Sequence, residues 1–196
     1  MQGPFVMKIG GSLIKEVPGI ARALLASRCP ALIIPGGGPF ANLVRTFHAP
    51  DNESHWMAVL GMEQYGWYIA SHGISTCQDL QVPVRPTILL PYTLMQKEDP
   101  LPHSWDVTSD TIAAWVAYRL GFDLVIMKSV DGIMDGGAPL EQVNTPLVCE
   151  EVDPGFIRFV LDHRVRTLLM NGGKSERFQA LLRGAVVEGT RIGTTF

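Results

Sequence analysis

The chain of 196 residues has little cysteine: Cys29, Cys77 and Cys149 stand far apart. An odd number of widely spaced cysteines argues against a disulfide framework and against a zinc site. It is typical of reduced thiols in a cytoplasmic protein. The five histidines form no cluster with metal-ligand spacing. These residues therefore predict no cysteine or histidine metal centre.

Charge is also scarce, and long apolar runs are missing. Only 18% of the residues are charged, the net charge is −3, and no long run of Lys or Arg occurs. This balance argues against nucleic-acid and membrane-surface partners. No apolar run reaches the ~20 residues that span a bilayer, and no signal-peptide pattern is present. We expect a cytoplasmic protein that acts on small molecules.

Linkers, repeats and low-complexity segments are absent as well, so residues 1–196 are predicted to form a single domain. Short buried runs alternate with helical patterns, which predicts a mainly parallel sheet with helices on both faces. The predicted strands are Phe5–Ile9, Ala31–Ile34, Thr87–Leu90, Leu124–Met127 and Thr167–Met170. The predicted helices cover residues 18–27, 40–47, 51–73, 92–97, 109–121, 154–163 and 175–184. A terminal hairpin or strand pair is expected over residues 186–196.

Glycine-rich turns follow three of the predicted strands. They contain Gly10-Gly11-Ser12, Gly36-Gly37-Gly38 and Gly172-Gly173. Glycine permits tight turns and a close approach of backbone to a ligand. Ligands of open α/β sheets bind at the carboxyl ends of the strands. The three turns are therefore expected to meet along one edge of the sheet and form a binding site there.

A further stretch, residues 100–114, leads into a helix. Pro100 and Pro102 hold the entry extended, and Thr108 or Ser109 caps the helix. Asp110 then lies in the first helical turn, where backbone N–H groups favour anions. The alternative is that these polar side chains only cap the helix.

The charged residues near these turns suit phosphoryl transfer. Lys8, Lys128 and Lys174 can balance the charge of a moving phosphoryl group, and Asp110 can orient them. A Walker A loop is unsupported, because the position of its first glycine is Leu168, inside a strand. The G-x-G-x-x-G spacing of dinucleotide-binding proteins is absent too.

Five motifs occur in an order that resembles the amino acid kinase superfamily. They are Lys8-x-Gly10-Gly11-Ser12, Gly36-Gly37-Gly38, Thr108-Ser109-Asp110-x-x-Ala113, Val130-Asp131-Gly132-Ile133 and Gly189-Thr190. The resemblance implies a three-layer α/β/α sandwich with an open, mainly parallel sheet, as in carbamate kinase. It implies an acceptor site in the N-terminal half, and a site for ATP with Mg²⁺ in the C-terminal half.

The resemblance also assigns roles to residues. Catalytic roles fall to Lys8, Asp110 and Lys174. Residues implied to bind the nucleotide are Gly10, Gly11, Ser12, Lys128, Ser129, Asp131, Gly132, Ile133 and Met134. No side chain is expected to bind Mg²⁺ directly, since the ion comes with the ATP phosphates, although Asp110 is a possible contact. Arg177 is an alternative to Lys174, because it occupies the spacing that many relatives give to the second catalytic lysine.

The stretch from Leu101 to Asp110 resembles a small archaeal and methylotroph group within this superfamily. That group phosphorylates an aminomethyl-furanyl-methyl phosphate in methanofuran biosynthesis. Residues implied to bind the acceptor are Gly36, Gly37, Gly38, His103, Trp105, Asp106 and Thr108. His103 and Trp105 would contact the flat ring and Asp106 the amine. The alternative is that Trp105 only packs under the loop.

Two further activities fit the same residues. One is a kinase for another phosphomonoester or for a carboxylate. The other is a non-catalytic protein that binds ATP and oxoanions, as the molybdenum storage proteins of this fold do. The aromatic helix over residues 51–73 is a candidate surface for a homo-oligomer.

Overall fold

The structure, a computed structural model, describes residues 3–193. The strands are Phe5–Ile9 (β1), Ala31–Pro35 (β2), Ser75–Cys77 (β3), Thr87–Leu89 (β4), Leu124–Lys128 (β5), Met134–Asp135 (β6), Ala138–Pro139 (β7), Gln142–Val143 (β8), Thr167–Asn171 (β9) and Thr190–Ile192 (β10). The helices are Val17–Ser27 (α1), Gly38–Arg45 (α2), Asp51–Ala70 (α3), Tyr92–Glu98 (α4), Ser109–Leu120 (α5), Phe156–Asp162 (α6) and Ser175–Leu182 (α7). A short 3₁₀ helix, Gly11–Leu13, follows β1. Within this described part, no helix is long and apolar enough to cross a bilayer.

Eight of the strands form one sheet in the order β3-β4-β2-β1-β5-β9-β10-β8, and β6 pairs with β7 separately. Strand β1 pairs in parallel with both β2 and β5, and β5 pairs in parallel with β9. The carboxyl ends of these four strands therefore lie at one edge. The expected mainly parallel sheet, with its glycine turns along that edge, is confirmed.

Side chains of β1 alternate between two apolar cores, one on each face of the sheet. Phe5, Met7 and Ile9 pack with α1 and α7 on one face. Val6 packs with α5 and α6 on the other face. This alternation sends Lys8 to the α5 face, because successive strand residues point to opposite sides. The three-layer α/β/α architecture is confirmed.

The tail differs from the prediction. Over the described residues 186–193 it forms one strand, β10, which pairs antiparallel with β9 and in parallel with β8. The predicted terminal hairpin or strand pair is wrong there, because β10 pairs with strands of the central sheet. Thr194–Phe196 lie outside the described residues. Strands β3, β6, β7 and β8 were not predicted, since two or three residues carry too little pattern.

Helix α3 has apolar side chains around its whole circumference. Val59, Met62, Tyr65 and Ile69 are buried against the two cores, whereas Leu60, Trp67 and Tyr68 are exposed. A helix that is apolar on all sides commonly packs on more than one surface. The homo-oligomer contact expected at this helix stays a prediction.

Candidate active site

Lys8, Asp110 and Lys128 form a buried cluster at the glycine edge of the sheet. Lys8 Nζ lies 2.6 Å from Asp110 Oδ1, and Lys128 Nζ lies 2.7 Å from Asp110 Oδ2. Lys128 Nζ also donates to the carbonyl of Glu151. Both lysines point to the α5 face. Lys8 pairs with Ile126 of β5, and Lys128 lies two residues further along β5, on the same side of the sheet. One carboxylate thus holds two ammonium groups, which leaves a net positive charge at this site.

Burial and mutual attraction shift the pKa values of this cluster. Burial disfavours the charged carboxylate of Asp110, but the charges of Lys8 and Lys128 outweigh it and lower the pKa of that group. Burial lowers the pKa of Lys8, and Asp110 opposes this change. Without Asp110, the buried ammonium of Lys8 and the half-buried ammonium of Lys128 would lie close together without the carboxylate that pairs with both.

Asp153 supports the cluster, and sequence reasoning missed it. Thr108 is the N-cap residue of α5, but its side chain makes no capping bond to its own helix. Asp153 Oδ2 instead accepts hydrogen bonds from the amides of Thr108 and Thr111, at 3.0 and 3.1 Å. Both threonine hydroxyls also donate to this carboxylate, and the Asp153 amide donates to Asp110 Oδ2. Asp153 therefore caps the helical turn that carries Asp110.

Replacing this cap should loosen the site. We expect Asp153→Asn to lower the free energy of unfolding by about 1–3 kcal/mol, because one acceptor of a buried, four-donor carboxylate is lost. Urea unfolding would measure the change. Asp162→Asn is the matched control, since Asp162 is an exposed acid in α6 with a weak pair to Arg158. Equal stability of the two variants would remove Asp153 from this role.

The glycine turns after β1 and β2 touch each other. A Cβ at Gly11 would lie 2.2 Å from the Cα of Gly38, and a Cβ at Gly36 would lie 2.9 Å from the amide nitrogen of Gly11. Gly38 also has a backbone φ of 55°, which residues other than glycine rarely adopt. The two turns can approach this closely only because they lack side chains. Backbone amides of both turns are thus brought beside Lys8.

A cavity of about 480 Å³ opens beside this cluster. It is bounded by the turns after β1 and β2, by α2 and α3, and by the loop before α5. Its lining includes the predicted site residues Lys8, Gly10, Gly11, Ser12, Gly37, Gly38, Trp105, Thr108, Asp110 and Lys128. The structure therefore brings residues from both predicted subsites around one space.

Three residues predicted to bind the acceptor lie outside the described lining: Gly36, His103 and Asp106. His103 stacks on His55, and its ring nitrogens contact Asn52 Oδ1 at 2.9 Å and Asp99 Oδ1 at 2.8 Å. Asp106 is exposed. Trp105 does line the cavity, where the guanidinium of Arg45 lies 3.8 Å from its ring centre.

The loop after β5 forms a second polar cluster around Asp131. Lys174 Nζ and Arg177 Nη1 each lie 2.8 Å from Asp131 Oδ1. The Lys174 ammonium, with help from Arg177, lowers the pKa of this carboxyl. Arg177 also pairs with Glu188. Both candidates for the second catalytic cation thus contact Asp131, whereas the second lysine on Asp110 is Lys128.

Thr190 fixes the same loop to β10. Its hydroxyl accepts the amide of Ile133 at 2.8 Å and donates to the carbonyl of Leu140 at 2.6 Å. A Cβ at Gly132 would lie 2.5 Å from this hydroxyl, so the contact requires glycine there. Ile133 is fully buried in the core. The neighbouring predicted residues Ser129 and Met134 are exposed.

The residues at the cavity suit phosphate groups and fit a metal carried by them. Two lysines and glycine amides supply positive charge and donors. Both oxygens of Asp110 already contact lysines. Among residues 3–193, no group of three or more His, Cys, Asp or Glu side chains could hold a metal ion. The expectation that the phosphate oxygens of ATP hold Mg²⁺ stays a prediction.

Comparison with known proteins gives one curated relative and several solved structures. No protein-family model matches the chain. The [5-(aminomethyl)furan-3-yl]methyl phosphate kinase of Methanocaldococcus jannaschii is 30% identical over 200 residues, covering 91% of this chain and 93% of that protein.

The solved structures are similar in fold. The uridylate kinase of Archaeoglobus fulgidus has a TM-score of 0.71 at 13% identity, covering 98% of this chain and 100% of the other. An isopentenyl phosphate kinase has a TM-score of 0.66 at 15% identity, with 96% and 100% covered. The UMP kinase of Bacillus anthracis has a TM-score of 0.73 at 13% identity, with 97% and 96% covered.

Proposed function

Because the chain belongs to the amino acid kinase superfamily, we propose that it phosphorylates [5-(aminomethyl)furan-3-yl]methyl phosphate to the diphosphate in methanofuran biosynthesis, with ATP as donor. The chain is a kinase for a small phosphate compound. The furan phosphate is proposed because it is the substrate named for the 30% identical relative, which the chain matches over almost its whole length.

One observation carries the proposal: Lys8 and Lys128 share Asp110 in the lining of the cavity. The acceptor phosphate and the terminal phosphate of ATP repel each other. A transferring phosphoryl group passes between them with its charge spread over three oxygens, so fixed positive charge and positioning supply most of the catalysis. Asp110 orients both ammonium groups, and the two lysines outnumber this one carboxylate at the place where the phosphates would bind.

The chain's own groups then have distinct tasks. ATP with Mg²⁺, when bound, supplies the phosphoryl group. Lys8 contacts that group in transfer, and Lys128 neutralises charge on the nucleotide side. The amides of Gly11, Gly37 and Gly38 donate to phosphate oxygens. Asp153 holds Asp110 in place through the first turn of α5.

For the nucleotide we propose the loop from Ser129 to Met134. Asp131, held by Lys174 and Arg177, positions this loop. Lys174 is half-exposed, with 50% of its side chain accessible, so it can leave Asp131 for a phosphate when nucleotide binds. In that case Lys174 is a catalytic cation in addition to Lys128.

The test is a coupled assay of ADP release with ATP and magnesium. The acceptor panel contains the aminomethyl-furanyl-methyl phosphate, isopentenyl phosphate, UMP and acetylglutamate. We expect turnover with the furan phosphate, and phosphorus NMR should show its diphosphate. A reaction without acceptor measures background hydrolysis of ATP.

The other outcomes separate the alternatives. Turnover with a different member of the panel would keep the kinase mechanism and replace the acceptor. Calorimetric binding of ATP without a phosphorylated product from any acceptor would favour the non-catalytic binder of ATP and oxoanions.

A further inference from the structure

The lining of the cavity contains a carboxylate, Asp51, that the proposed phosphoryl transfer does not use. Among the described residues that line the cavity, the acidic side chains are Asp51 and Asp110. Each carboxylate oxygen of Asp110 contacts one lysine, Lys8 or Lys128. Asp51 forms no ion pair within residues 3–193 and is exposed. A cationic ligand in this cavity would therefore find a free carboxylate at Asp51.

The direction of Asp51 follows from its helix. It begins α3, and His55, Val59 and Met62 follow at positions four, eight and eleven residues later. Residues at this spacing share one face of a helix. All four line the cavity. Asp51 thus stands on the cavity-facing stripe of α3.

The groups around Asp51 would not bind a cation by themselves. Burial lowers the pKa of His55 to about 4, with a contribution from neighbouring His103, so His55 is neutral at physiological pH. Its Nε2 has no hydrogen-bond partner among the described residues. Arg45 is positively charged and covers a face of Trp105. The positive end of the α3 dipole also disfavours a cation here. The negative charge of Asp51 therefore has to outweigh the repulsion from Arg45 and from the helix dipole.

We infer that Asp51, and not Asp106, binds the ammonium group of the acceptor. This inference rests on the proposed function, since it assumes an acceptor with a phosphate at one end and an amine at the other. The phosphate lies at Lys8, and the amine points along α3 toward Asp51. Asp51 thereby selects aminated phosphomonoesters over neutral ones.

The experiment compares Asp51→Asn with the wild-type protein on two acceptors. One is the aminomethyl-furanyl-methyl phosphate, and the other carries a methyl group in place of the aminomethyl group. We expect the KM for the amine to rise roughly 10- to 100-fold, as for loss of a charged hydrogen bond, with little change in kcat. The KM for the methyl analogue should stay the same. Calorimetry without ATP should show the same selective loss of affinity.

Two control variants make the result specific. Glu53→Gln removes an acidic charge from the same helical turn, but Glu53 does not line the cavity. Asp106→Asn removes the residue that the sequence suggested for the amine. Glu53→Gln should leave the KM unchanged, whereas Asp106→Asn tests the competing residue, which lies outside the described lining of the cavity.

Three outcomes would overturn the inference. They are an unchanged KM and affinity in Asp51→Asn, an equal loss for both acceptors, or a selective loss in Asp106→Asn. Failure of the proposed function looks different, because the wild-type protein would then bind the furan phosphate without turning it over, or would not bind it. Absence of binding overturns both ideas, whereas binding without turnover leaves the affinity comparison to decide on Asp51.

Discussion

Replacing Lys8 with Met should lower kcat about 1,000-fold, as expected when a fixed charge that stabilises a transition state is removed. Lys8 is 3% exposed, and its ammonium is held by Asp110, so water cannot readily replace its charge. Most of the loss should appear in kcat, because the charge matters most when the phosphoryl group is in transit. Single-turnover kinetics with saturating ATP would measure it.

The fold should survive this change. Met fills a volume similar to the lysine side chain, and Asp110 keeps Lys128 as an ion-pair partner. Circular dichroism and a thermal melt would check this. Lys97→Met is the control, since Lys97 is exposed on α4. Near-normal turnover in a folded Lys8→Met protein would exclude Lys8 from the reaction.

Asp110→Asn should damage both stability and activity. The change leaves two lysines close together, with Lys8 buried and without the carboxylate that pairs with both ammonium groups. Breaking a buried ion pair in this way costs about 3–5 kcal/mol of the free energy of unfolding. Chemical unfolding at neutral pH would measure this loss. Asp135→Asn, in exposed β6, is the control and should change stability little.

The pH dependence of this variant tests the cause. The pKa of Asp110 is below its ordinary value of 3.8 in the folded protein, so its contribution to stability is complete above pH 3.8. That contribution is lost as the pH falls through the lowered pKa. The stability difference between the wild-type protein and Asp110→Asn should therefore shrink below pH 3.8. A constant difference down to pH 2 would contradict the assignment.

Activity should respond at the other end of the pH scale. Asp110 raises the pKa of Lys8 against the effect of burial. Without the carboxylate this pKa falls further, and Lys8 loses its proton at a lower pH than in the wild-type protein. The kcat of the variant should then decline with rising pH over a range in which the wild-type rate is flat. Parallel pH profiles would show that Asp110 does not act through Lys8.

Much of the fold was predictable because its signals are local. Strands β1, β2, β5 and β9 are continuous buried runs, and parallel pairing brings the turns after them together. The period of two along a strand also explains why Lys8 and Lys128 share the α5 face. Strand β10 could not be placed, since its neighbours β9 and β8 are set by contacts distant in sequence.

The predictions for the site were less complete, because several of its contacts join residues that are distant in sequence. Asp153 lies more than 40 residues from the threonines that it caps, in a segment without periodicity. Asp51 looks like any acidic residue at the start of a helix. A glycine-lysine pattern predicts a turn near the site, but it does not say that Lys174 turns toward Asp131.

The position of β10 has a consequence for synthesis of the chain on the ribosome. Strands β1, β2 and β5 are complete once residue 128 has been made, so the centre of the sheet can begin to pair early. Strand β8 and the amide of Ile133 gain their partners only when Thr190–Ile192 has been made, about 50 residues later. The contacts of β10 that hold residues 132–143 therefore depend on the last residues to be made, whereas the strands that carry Lys8 and Lys128 are made much earlier.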